Sequence, residues 1–122
     1  MLGMDRAVPV QVRVDRDHLP SALVAVITGE LDFGTTPRLV DALRDEPPPG
    51  ASVVLDMAGV DFCDSSALGA MISLYKAAAK AGGQLYLTGV GPQVASAIAV
   101  TSLDQLFLVR ADVAQVLAEI GP

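Results

Sequence analysis

Apolar and polar positions alternate from Val8 to Val14, with Val8, Val10, Val12 and Val14 on one side and Gln11 and Arg13 on the other. A period of two predicts a half-buried strand, placed at a sheet edge. Ala22 to Ile27 is continuously apolar, which predicts a strand buried on both faces and therefore central. The link between them, Asp15-Arg16-Asp17-His18-Leu19-Pro20, is shorter than the dozen or so residues a crossover needs, so the two strands should pair antiparallel. Thr28 to Asp32 reads as a strand exit that caps the next helix, which runs from Thr35-Thr36-Pro37 through Arg44 on a stripe of Leu39, Val40 and Leu43. Asp45-Glu46-Pro47-Pro48-Pro49-Gly50 is a polar surface loop.

The next stretch organises the rest. Val53-Val54-Leu55 is a short buried strand, Asp56 to Gly59 a turn-rich link, and Val60 to Cys63 leads to the triplet Asp64-Ser65-Ser66. Apolar residues then fall at Leu68, Met71, Ile72, Tyr75, Ala78 and Ala79, which is helical spacing. Gly82-Gly83 closes this helix, with Lys76 and Lys80 near its negative end. Gln84 to Thr88 is a further strand. Gly89-Val90-Gly91-Pro92 opens a helix through Val100, with Val94, Ala95, Ala97 and Ile98 turned inward. Leu106 to Val109 is a last short strand, and Ala111 to Ile120 an amphipathic helix carrying Val113, Val116, Leu117 and Ile120.

The order β-β-α-β-α-β-α-β-α predicts an α/β fold in one domain over 8–120, with residues 1–7 as an N-terminal tail. The expected sheet is mostly parallel, of four to five strands, with an antiparallel N-terminal edge strand and about four helices. Right-handed crossovers put the helix starts at one end of such a sheet, so Ser65 and the Glu30–Asp32 loop should share that end.

Composition narrows the functional classes. A hydrophobic content of 52% excludes a disordered chain. The net charge of −6 and a pI near 4.4 argue against nucleic-acid or anionic-membrane binding, because no basic stripe exists to meet phosphates. The single cysteine, Cys63, excludes an internal disulfide and a cysteine zinc cluster, and its apolar neighbours suggest a buried thiol. Alternate acids plus His18 in the first turn lack a fixed geometry for a cation, so no metal site and no cofactor are expected. With neither a signal-peptide pattern nor an apolar run of about 18 residues, a cytoplasmic location without membrane insertion is expected. The apolar composition leaves self-association open.

Asp64, Ser65 and Ser66 sit where a helix start leaves backbone N–H groups without partners, and one such side chain is enough for a cap. Two adjacent hydroxyls after an acid are more than capping requires. A phosphate there would add about −1.5 to −2 charges close to the positive helix end. Enzyme signatures are missing: there is no G-x-S-x-G, H-E-x-x-H or P-loop, and no base lies within sequence reach of Ser65 or Ser66. Gly89-Val90-Gly91 lacks the third glycine and downstream acid of a dinucleotide site. No catalytic residue is therefore assigned.

Leu55 to Val90, with the motif Asp64-Ser65-Ser66-Ala67-Leu68-Gly69, resembles the centre of a STAS domain of the bacterial anti-sigma-factor antagonist type. Ala67 stands where glycine is commoner in that motif. Gly29-Glu30-Leu31-Asp32 is similar to a second family motif, and Leu103 to Val109 to a third segment in which Ser102 replaces a glycine. The resemblance implies a partner-switching regulator that binds an anti-sigma factor serine kinase, releases a sigma factor, and is reset by a serine phosphatase. It implies phosphorylation of Ser65, with Ser66 as the alternative, and partner contacts at Glu30, Asp32, Asp64, Ser65, Ser66 and Leu68. Other roles for such a domain are a stressosome scaffold, a lipid-transport accessory subunit or a small-ligand binder. A rival is a receiver-like signalling domain with Asp56 as phosphoacceptor, Asp15 and Asp17 as metal acids and Thr88 as the hydroxyl. Against it stand the absence of a helix between the first two strands and Arg110, in place of lysine, at the end of the last.

Overall fold

The computed structural model describes residues 9–44 and 46–121; the predicted tail, Val8 and Asp45 lie outside them. The first two apolar segments form β1 (Gln11–Asp15) and β2 (Ala22–Leu31), followed by α1 (Thr36–Leu43). The central stretch gives β3 (Ser52–Cys63) and α2 (Ser65–Ala81). Then come β4 (Leu85–Thr88), α3 (Pro92–Val100), a 3₁₀ turn at Leu103–Gln105, β5 (Leu108–Arg110) and α4 (Val113–Ile120). The sheet has the order β1-β2-β3-β4-β5. The β1–β2 pair is antiparallel and every other pair is parallel.

Alternation within the strands divides the core in two. Leu23, Ala25 and Ile27 of β2, Val53, Leu55 and Met57 of β3, and Leu85 and Leu87 of β4 face one side. There they pack against Leu39 and Leu43 of α1, Ala67, Ala70, Met71, Leu74 and Ala78 of α2, and Ile98 of α3. Ala22, Val24, Val54 and Tyr86 face the other side, where Val116 of α4 covers them. Burial on both faces explains why the central strands read as unbroken apolar runs. Glu119 fixes α4 to the strands: its carboxylate takes a bidentate bond from Arg110, at 2.7 and 3.0 Å, and one from the Tyr86 hydroxyl at 3.3 Å.

The structure corrects several expectations. The presumed exit loop at Thr28–Leu31 and the presumed turn at Asp56–Gly59 are strand, because β2 and β3 stay paired from Ala22↔Ser52 to Leu31↔Cys63. Register shifts after Val26 and Gly29 absorb the extra residues, and Met57 is buried in the core. Gly59 belongs to this close pairing: a Cβ there would stand 2.7 Å from Thr28 Cγ2. The buried stripe of α2 runs through Ala67, Ala70, Met71, Leu74 and Ala78, whereas Ala79 is exposed. In α3, Ala95 is likewise exposed. Leu106 and Phe107 precede β5 rather than belonging to it, since the 3₁₀ turn takes up the chain before them.

Candidate functional site

The extra length of β2 and β3 carries both strands past the sheet body and delivers two connections to one place. Asp64 N–H donates to Leu31 O at 3.0 Å, continuing the strand pairing to the first residue before α2. Asp64 is extended (φ −101°, ψ −176°) and caps the helix: its Oδ1 accepts Ser66 N–H at 2.8 Å. The same oxygen takes the Ser66 hydroxyl in a short bond. Its Oδ2 reaches the other connection and accepts Phe33 N–H at 3.0 Å. One carboxylate thus ties the β2–α1 loop to the start of α2.

The loop itself is internally braced. The Asp32 carboxylate accepts the N–H groups of Gly34 and Thr35 at 2.9 and 3.0 Å. Thr35 Oγ1 accepts Asp32 N–H at 2.9 Å and donates to Glu30 O at 2.7 Å. Asp32 therefore shapes the turn ahead of α1, while the N-cap position belongs to Thr35. Glu30 is a half-buried residue of β2, opposite Phe62 of β3.

Ser65 and Ser66 differ sharply. Ser66 is half-buried and its proton is committed to Asp64. Ser65, the first residue of α2, is exposed, and no described residue holds its hydroxyl. The bond from Ser66 Oγ is the main cause that holds the Asp64 carboxyl below its ordinary value; burial opposes it, and the backbone N–H groups of Ser66, Phe33 and Ala67 add to the lowering. Burial, reinforced by the Asp64 charge, pushes the Cys63 thiol up to about 11.

Two features escaped sequence reasoning. Phe33 is 84% exposed beside the Asp64 link, and Phe62, near the end of β3, is 44% exposed. Between α2 and α3 lies a hollow of about 360 Å³, lined by Phe62, Cys63, Ser65, Leu68, Met71 and Val94 among others. An apolar residue standing alone between Asp32 and Gly34 was a readable signal for Phe33. The share of α3 in this surface had none, because it depends on how two helices sit on the sheet.

Of the predicted residues, Asp32, Asp64, Ser65, Ser66 and Leu68 gather at this end of the sheet, with Glu30 one strand position below. The receiver-like constellation does not form. Asp56 and Thr88 are register partners, but Asp15 pairs with Val24 on an antiparallel strand. No group of three or more potential metal ligands occurs among the described residues. Nor, among them, is any helix long and apolar enough to cross a membrane.

Comparison with known proteins agrees with this fold. The family model for the STAS domain matches residues 13–116. A STAS-domain containing protein of Pseudomonas aeruginosa (strain UCBPP-PA14) is 32% identical over 93 residues, which is 73% of this chain and 92% of that protein. An anti-sigma F factor antagonist of Paenibacillus polymyxa is 28% identical over 88 residues, 70% of this chain and 74% of its own length. The crystal structure of an anti-sigma factor antagonist from Mycobacterium paratuberculosis superposes with a TM-score of 0.76 at 27% identity, covering 91% of this chain and 93% of that one. By strand order, helix placement and sequence alike, the chain belongs to the STAS domain family.

Proposed function

We propose that this chain is a non-catalytic partner-switching regulator, an anti-sigma factor antagonist that binds an anti-sigma factor with serine-kinase activity and so frees a sigma factor. The observation that carries this reading is the contrast between the two serines: Ser65 offers an exposed, unheld hydroxyl, while Ser66 is locked to Asp64. The names borne by relatives from Paenibacillus and Mycobacterium support the same role.

In the unphosphorylated state the partner docks on the surface made by Ser65, Leu68, Phe33 and Phe62, with Glu30 and Asp32 at its margin. The kinase, with its own ATP and Mg²⁺, transfers the γ-phosphoryl group to Ser65 Oγ; the bond between the γ-phosphorus and the bridging β-phosphate oxygen breaks to release ADP, and the hydroxyl proton leaves to a base of the kinase. The product places about −1.5 to −2 charges beside the Asp64 carboxylate. In water that repulsion is screened; beneath a docked partner it is not, and the dianion must also shed its hydration. Phosphorylation thus penalises the bound state selectively. Moving a two-state population from 1:99 to 99:1 needs a differential of about 5.5 kcal/mol. A serine phosphatase restores the first state.

The test is a pull-down from the source organism with wild type, Ser65→Ala and Ser65→Asp as baits. Wild type and Ser65→Ala should retain an ATP-binding serine kinase and Ser65→Asp should lose it. Recovery of a large scaffold or a transport complex irrespective of residue 65 would instead support the scaffold or accessory role.

A further inference from the structure

We propose that the hollow between α2 and α3 receives an apolar side chain of the anti-sigma kinase, flanked by lysine or arginine, and that phosphorylated Ser65 closes the mouth of this hollow. The proposal rests on the function proposed above and adds α3 to the recognition surface.

Three observations converge. The hollow of about 360 Å³ is walled by apolar side chains of both helices, yet Ser65 and Asp64 stand at its edge. A second hollow, of about 200 Å³, adjoins the first, shares Phe62, Cys63, Gln93 and Val94 with it, and is bordered also by Met57, Val60 and Asp61. Phe62 and Val94 therefore border both depressions, which together offer a partner protein an extended apolar relief. The charges also have one sign. Asp64 and Asp61 border the hollows and no lysine or arginine lines either of them, so cations on the partner complement the rim. An apolar anchor seated in a desolvated pocket is the usual centre of a protein interface. With phosphate on Ser65, that anchor would press an apolar group against a dianion and strip its water.

The substitution that tests this is far from the serine. Ala97 of α3 is half-buried and lines the larger hollow, whereas Ser96 is exposed and does not. With the kinase recovered above, purified and titrated calorimetrically, Ala97→Arg should weaken binding by about tenfold or more, and Ser96→Arg should leave it within about twofold. Ala97→Leu fills the hollow without charge and preserves helix propensity, so it should weaken binding even if Ala97→Arg fails to fold. Raising salt should weaken the wild-type complex. Wild-type affinity in both Ala97 variants would overturn the proposal, and salt-insensitive binding would remove its cationic half. If Ser65→Asp still abolishes binding in that case, the switch stands and only the hollow is excluded. If wild type binds no kinase, the underlying function is excluded.

Discussion

Asp64 joins the two connections of the site. Its carboxylate accepts from Ser66 N–H and Oγ and from Phe33 N–H, so removing it frees both the helix start and the neighbouring loop. Asp64→Ala should lower the melting temperature more than Asp64→Asn, which keeps acceptor capacity. The pH dependence has a definite sign. The folded-state pKa lies below the unfolded value of 3.8, so the stabilisation is present above about pH 4 and is lost as pH falls through the folded value. Urea midpoints of wild type and Asp64→Asn should differ most near neutrality and converge in acid. Cys63 offers a second readout: with its pKa raised to about 11, alkylation by iodoacetamide should be slow at pH 8 and accelerate steeply above pH 9. Because the Asp64 charge is the lesser cause of that rise, Asp64→Asn should speed the reaction modestly.

At the scale of elements, close backbone approaches set where the strands and helices end. Gly82 closes α2 in the left-handed conformation (φ 93°), and Gly83 lies so close to Ala51 that a Cβ would collide with its carbonyl. Gly83→Ala should cost about 1–3 kcal/mol in urea denaturation, the usual penalty of forced overpacking. Ser102 presents the opposite case. It holds φ 60°, ψ 21° at the entry to the 3₁₀ turn, a conformation costing a side-chain-bearing residue about 1–2 kcal/mol. Ser102→Gly relieves that strain at the expense of about 0.5–1 kcal/mol of added unfolded-state entropy, for a net gain of up to about 1.5 kcal/mol. The same elements show where sequence patterns run out. The apolar runs of β2 and β4 and the heptad-like spacing of α4 were legible because burial imposes their period. The continuation of β3 through Asp56-Met57-Ala58-Gly59 was not, since turn-forming residues there are held in a strand by pairing with β2, a distant segment.

For the whole molecule, topology explains why the two connections were expected at one end of the sheet. Parallel strands deliver their following connections to one end of the sheet, so the joining of the Asp32 and Ser65 connections followed from strand order alone. The acids and serines were readable as residue types with a known taste for helix starts. Phe62, Val94 and Ala97 carried no such mark, because exposed apolar surface between two helices exists only after packing. With a net charge of −6 and Asp64 and Asp61 bordering the hollows, the proposed docking surface suits a cationic partner face. Ser65, and not its neighbour, is the proposed switch. The most direct test incubates the protein with the recovered kinase and ATP, maps the modified residue by mass spectrometry, and measures kinase binding by the modified protein. Phosphate on Ser65 with binding lost is the expected result; phosphate on Ser66, or a phosphorylated Ser65 that still binds, would contradict it.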